Sequence, residues 1–278
     1  MITAPVPVGT VPPRPAWRGL FWIAPLTVLW TGLIYWLPII PASGVPTTAH
    51  QLTVHAVIAV GLWLGLESTD LTPGQRRTTW LAVTIPYTLW FAVAWSAAIN
   101  GVFRTGTSPS PVPLLPLAIF LPVLIGAPLL LLSRRTGQVL DAMPVTWLVA
   151  IQLYRVFGSW ALAASLRGEM PSVFALPAGI GDVLTGVFAV PAAIAVATGT
   201  AEGRKAAIIW NIFGLADFAI AVTMGLITSP GPFRLIVPNV PSIGAAAYPD
   251  VLTPAFVVPS SILLHALSLR QLFRRSAG

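Results

Sequence analysis

Apolar residues along this chain run in long blocks, each bounded by charge or by clusters of Gly, Pro and Ser. A bilayer core about 30 Å thick is crossed by about 20 apolar residues of helix. Eight blocks reach that length, at 18–40, 49–67, 78–100, 112–133, 144–166, 173–199, 205–228 and 251–273. Stretches such as LAIFLPVLIGAPLLLL are apolar on every side, whereas a membrane barrel strand alternates over about ten residues. The pattern predicts an all-α, polytopic membrane helix bundle of about eight transmembrane helices. It forms a single transmembrane domain over 18–273, between a Pro-rich tail at 1–17 and a basic tail at 274–278.

Composition agrees with the pattern. Of 278 residues, 56% are hydrophobic and only 8% are charged, against about 25% charged in a soluble domain. The absence of Cys removes thiolate nucleophiles, iron-sulfur ligation and disulfides. A net charge of +7 raises the question of nucleic acid, but the distribution of the basic residues answers it differently. Arg14, Arg18, Arg76, Arg77, Arg134, Arg135, Arg204, Lys205, Arg270, Arg274 and Arg275 all fall on one side of the predicted spans. Arg104, Arg167 and Arg234 fall on the other, and Arg155 lies inside a span. This is the cytoplasmic bias of an integral membrane protein. It places both termini in the cytoplasm and the chain in the plasma (inner) membrane, with membrane lipid rather than nucleic acid as its surroundings.

Three ionisable residues sit within adjacent spans: Arg155, Asp182 and Asp217. A charge at the bilayer centre costs at least about 2.5–3.5 kcal/mol, so such groups face the bundle interior and pair. Counting 1.5 Å per residue from the span ends puts all three near one depth. The expected arrangement is a bidentate pair of Arg155 with one Asp, leaving the other carboxylate for a proton, a cation or a cationic substrate. Gln152, Arg155 and Ser159 share one helical face. Asn211 precedes Asp217 on its span, and His265 in the last span is flanked on its own face by Ser261 and Ser268. Pro177, Gly179 and Gly181 stand just before Asp182, where a missing N–H and low helix propensity predict a helix break. The site is therefore read as Arg155, Asp182, Asp217, Gln152, Asn211 and His265, with the break beside it.

No metal or cofactor is expected. His50 and His55 are five residues apart, so their rings diverge by about 140° on a helix, and they are read as interfacial anchors or weak ligands. The sequence holds no HExxH, GxSxG or GxxxxGK[ST]. Gly179-Ile180-Gly181-Asp182 reads GxGD and resembles a catalytic signature of intramembrane aspartyl proteases of the presenilin and prepilin peptidase type. That resemblance implies an Asp182–Asp217 dyad. Here, however, the partner Asp follows GxGD rather than preceding it, and the downstream Pro-Ala-Leu is Pro254-Ala255-Phe256. The reading favoured is a proton- or cation-coupled transporter of a small solute. The alternatives are a membrane-embedded enzyme acting on lipid or peptide, and a non-catalytic subunit in which the charges form a structural clamp.

The charge bias predicts that a fluorescent reporter which matures only in the cytoplasm lights up when fused to the C-terminus, while a periplasm-dependent phosphatase fused there stays silent. The reverse pattern would overturn the orientation.

Overall fold

The computed structural model describes residues 45–104, 114–240 and 244–274, and among these the chain is helical with no strand. The elements are α1 (Val45–Glu67), α2 (Pro73–Ile99), α3 (Leu114–Leu132), α4 (Arg134–Ala142) and α5 (Trp147–Ala150). A 3-10 segment (Ile151–Gly158) follows, then α6 (Ser159–Leu166), α7 (Ser172–Ala197) and α8 (Ala201–Thr228). A 3-10 turn (Gly244–Ala246) and a π turn (Thr253–Val257) lead into α9 (Val258–Arg274). Seven stretches are long and apolar enough to cross a membrane: Thr48–Glu67, Pro73–Ile99, Leu114–Leu132, Trp147–Leu166, Ser172–Ala197, Ala201–Thr228 and Thr253–Arg274. They coincide with the second to eighth predicted spans, so the count among the described residues is seven rather than eight. The first span, 18–40, lies outside the described residues with the tail at 1–17. The architecture is compatible with a multi-pass membrane protein.

Helix starts are set by local chemistry. Thr72 accepts from the Gln75 N–H, the Gln75 side chain accepts from the Thr72 N–H, and Pro73 fills the first helical position of α2. Ser133 opens α4 and Thr200 opens α8 in the same manner, through Thr136 and Gly203. The bundle has two distinguishable ends. At the Arg-rich end, Arg270 donates to the Leu130 and Ser133 carbonyls, Arg274 pairs with Asp141 at 2.6 Å, and Gln271 donates to the Met143 carbonyl. At the other end Ala94, Ala98, Phe103 and Ala118 pack with Val251 and Leu252.

Three expectations are corrected. The fifth predicted span is not one α-helix: its centre is the 3-10 segment, which rises about 2.0 Å per residue and stacks positions three apart. Gln152, Arg155 and Gly158 consequently form one row. The predicted break at Pro177, Gly179 and Gly181 is absent, since α7 runs unbroken through all three. Their small size serves packing instead. A Cβ on Gly179 would lie 2.7 Å from Leu162, and one on Gly186 would lie 2.5 Å from the Val156 backbone nitrogen. Glycines thus let α7 rest directly on the 3-10 backbone, and the contact area gained outweighs their poor helix propensity. Finally, the stretch after the fourth span, read as a connection, is the amphipathic helix α4, which buries Gly137, Val139 and Leu140.

Gly186→Val forces a side chain into the backbone of the 3-10 segment, and overpacking of this kind costs about 1–3 kcal/mol. We expect a lowered thermal midpoint in detergent; an unchanged midpoint would mean that the two backbones are not held together at this point.

Candidate functional site

Two turns bring the charges to one level. Gly168, at φ +71°, and Gly199, at φ +69°, occupy the left-handed region that favours glycine, and each sits between antiparallel neighbours. Arg155 and Asp182 lie 13 and 14 residues from Gly168, while Asp182 and Asp217 lie 17 and 18 residues from Gly199. Equal arms place the three side chains at matching heights on the 3-10 segment, α7 and α8. The last approach is again made by glycine: a Cβ on Gly181 would overlap the Asp217 carboxylate, and one on Gly158 would overlap Asp182.

Arg155 is 3% exposed, and all three of its guanidinium nitrogens are engaged. Nε donates to Asp182 Oδ1 at 2.8 Å, and Nη2 lies 2.7 Å from the same oxygen. Nη2 also donates to Asp217 Oδ2. Nη1 donates to the Gly214 carbonyl at 3.4 Å and to His265 Nε2 at 3.0 Å. The plane of the cation covers the Phe218 ring, with Cζ 3.8 Å from its centroid. The expected bidentate pair with one Asp is therefore corrected: a single nitrogen bridges both carboxylates, and neither is left unpaired. Because both contacts to Asp182 use Oδ1, Oδ2 receives nothing from the guanidinium.

On the side toward the Arg-rich end, His265 Nδ1 meets Asn211 Oδ1 at 2.9 Å, while Asn211 Nδ2 donates to the Ala207 carbonyl and to Ser268 Oγ. The amide orientation fixes the tautomer. With Asn211 Oδ1 accepting, His265 carries its proton on Nδ1 and offers the Nε2 lone pair to Arg155. Since the Arg155 cation stands between this imidazole and the carboxylates, His265 positions Arg155 and has no direct proton path to either Asp. Beyond it, Val149, Ala189, Ala193 and Trp210 form a packed apolar layer.

The opposite face of the cluster is open. Asp182 borders a cavity of about 410 Å³, and its side chain is 25% exposed against 4% for Asp217 and 1% for Arg155. The cavity runs to the Arg-poor end, where Pro230 to Phe233 and Ala245 to Ala246 of the loop after α8 line its mouth. Phe233 lines the cavity, while Leu235 and Val237 are exposed.

Of the residues singled out by sequence, Arg155, Asp182, Asp217, Asn211 and His265 converge. Gln152 and Ser159 are wholly buried, yet the Gln152 amide and the Ser159 hydroxyl have no hydrogen-bond partner. Pro177, Gly179 and Gly181 act through packing, as above. His50 and His55 separate: His55 bonds Thr88 and stacks on Tyr87 and Phe91, while His50 stacks on Phe157 at 4.0 Å on the cavity wall. Among the described residues no cluster of three His, Asp or Glu could hold a metal ion. Phe218 and the cavity role of His50 were missed. Phe218 lies seven residues after Asn211, on the same helical face, and that spacing is the signal that could have found it.

Residues 112–273 match a family model described as a domain of unknown function, DUF8737, a region that contains the whole Arg155 cluster. No curated protein and no solved structure matches the chain.

Removing one partner from a buried ion pair costs about 3–5 kcal/mol, because the remaining charge loses its compensation. We expect Asp217→Asn to lower stability by about that order and Asp182→Asn to lower it clearly less, read as thermal midpoints in detergent. Equal losses would mean that Asp182 is as closed off as Asp217.

Proposed function

The chain belongs to the DUF8737 family, and from the geometry of its buried charges we propose that it is a multi-pass inner-membrane transporter that couples movement of a small solute to a proton or cation. The observation that carries this reading is one-sided access. A mid-span cluster of one guanidinium and two carboxylates opens through Asp182 to a cavity at one end and is closed at the other by His265, Asn211 and the Trp210 layer. A transporter caught facing one side has this form. By the distribution of Arg and Lys, the open side is external.

The roles follow from the contacts. Asp182 is the exchangeable acceptor, since it is the most exposed of the three charged side chains at the cavity. Arg155 is the counter-ion, and Asp217 anchors it from the closed side. With both carboxylates ionised the cluster carries one net negative charge, which a proton or a cationic solute at Asp182 neutralises. Moving that charge changes the pull on Arg155, which is borne on a 3-10 segment rather than an α-helix, and short 3-10 stretches within helices mark hinges. The π turn before α9 is a second such place. His265 and Asn211 keep the guanidinium aimed while this happens.

A second reading, a structural clamp, is favoured by the near-complete burial of Arg155 and Asp217. The protease reading has less support. The Arg155 guanidinium occupies the space between the carboxylates that a dyad needs for a shared proton.

The test uses proteoliposomes holding a trapped pH dye. The expected result is that an added cationic solute drives proton movement through the wild-type protein, and that Asp182→Asn folds but moves none. Loss of folded protein on Asp182→Asn supports the clamp. Turnover of lipid or peptide in detergent, where no gradient exists, supports an enzyme.

A further inference from the structure

The cavity at Asp182 also constrains what enters it. We propose that it is a binding site for a protonated amine with an apolar, aromatic-sized body, held by Asp182 at its floor and by aromatic rings along its wall. This rests on the transport reading only for the fate of the ligand, not for its binding.

The charge at the floor selects the sign. Asp182 presents a 25% exposed carboxylate to the cavity, whereas the Arg155 side chain beside it is only 1% exposed; Arg104 and Asp250 also line the cavity, one of each sign. Both contacts from Arg155 use Asp182 Oδ1, and Asp182 itself packs into the space left by the missing side chain of Gly158. At the floor, therefore, the accessible charge is a carboxylate, which favours a cation over an anion. The size selects against a bare ion. A hard inorganic cation asks for six or so oxygen ligands, whereas the wall here is mostly rings and aliphatic side chains, with Asp250, Thr253 and Ser261 among its few oxygen-bearing members. A volume of about 410 Å³ instead falls within the 300–1,000 Å³ typical of sites for small organic ligands.

The wall selects the body. Phe157, Trp160, Phe174 and Phe218 line the space, and ring faces attract cations as well as apolar groups. Phe218 already carries the Arg155 cation on one face at 3.8 Å. The wall also holds a polar ring, that of His50. Both ring nitrogens of His50 are buried, with the Tyr154 backbone beside them, and the ring is fixed flat against Phe157. An ammonium N–H donates a hydrogen bond to the Asp182 carboxylate. A quaternary ammonium cannot, so the ligand class is a protonated amine.

The experiment is calorimetric titration of the full-length protein in detergent with two probes of similar size and opposite charge, phenethylamine as its ammonium form and 3-phenylpropionate. The expected result is saturable binding of the amine, none of the carboxylate, and at least a tenfold loss of amine affinity in Asp182→Asn. Trp160→Ala, on the wall and away from the ion cluster, is expected to weaken amine binding as well, and it serves if Asp182→Asn fails to fold. Equal binding of both probes, binding of neither, or undiminished amine binding in Asp182→Asn overturns the proposal. Amine binding without amine flux in proteoliposomes upholds the ligand class and overturns transport. Flux of another solute without amine binding does the opposite.

Discussion

One guanidinium, that of Arg155, cannot be left without partners in the middle of an apolar bundle, and the central packing is organised around meeting that demand. A buried cation loses its hydration and must recover the energy from carboxylates, lone pairs and ring faces. Arg155 recovers it from three other helices at once: Asp182 on α7, Gly214, Asp217 and Phe218 on α8, and His265 on α9. No two of these helices can shift without disturbing its bonds. The ion cluster is in this sense the joint of the bundle, and the chain's glycines are what allow backbones to come near enough to form it.

That closeness explains one departure from ordinary helix and one helix that stays regular against its local propensity. The 3-10 segment lines up Gln152, Arg155 and Gly158 on one row, so that the charge and the gap that admits Asp182 face the same neighbour. Its partner α7 stays regular because Gly179 and Gly186 present bare backbone to it. Local propensity argued for the opposite assignment, an irregular α7 beside a regular fifth span. Tertiary contact decided it. A glycine in a helix is weak only while nothing packs on it, and here something packs on both.

The same cluster is asymmetric in its surroundings, and function follows from that asymmetry. Toward the Arg-rich end the bonds run from Arg155 through His265 and Asn211 to Ser268 and stop against packed apolar side chains. Toward the other end Asp182 meets an aromatic-walled space. A purely architectural network gains nothing from an exposed carboxylate, whereas a binding site requires one. The two roles are compatible, since Asp217 and His265 hold the guanidinium while Asp182 remains available.

Much of this was legible in the residues alone. Blocks of about 20 apolar positions determined the helical class and located seven of the described helices, because satisfying the backbone in a hydrocarbon layer leaves little choice. The intramembrane charges announced their own convergence: unpaired they would be too costly, and counting from the span ends put them near one depth. Tertiary structure alone decided how they meet. That Nη2 bridges both carboxylates, that His265 faces Arg155 rather than an Asp, and that His50 joins Phe157 on a cavity wall all depend on the rotation of each helix about its axis and on the distance between backbones. Those quantities come from side-chain packing between segments far apart in sequence. A hydrophobic pattern fixes which segments are helices and how long they run, but it leaves their mutual rotation free until the packing closes.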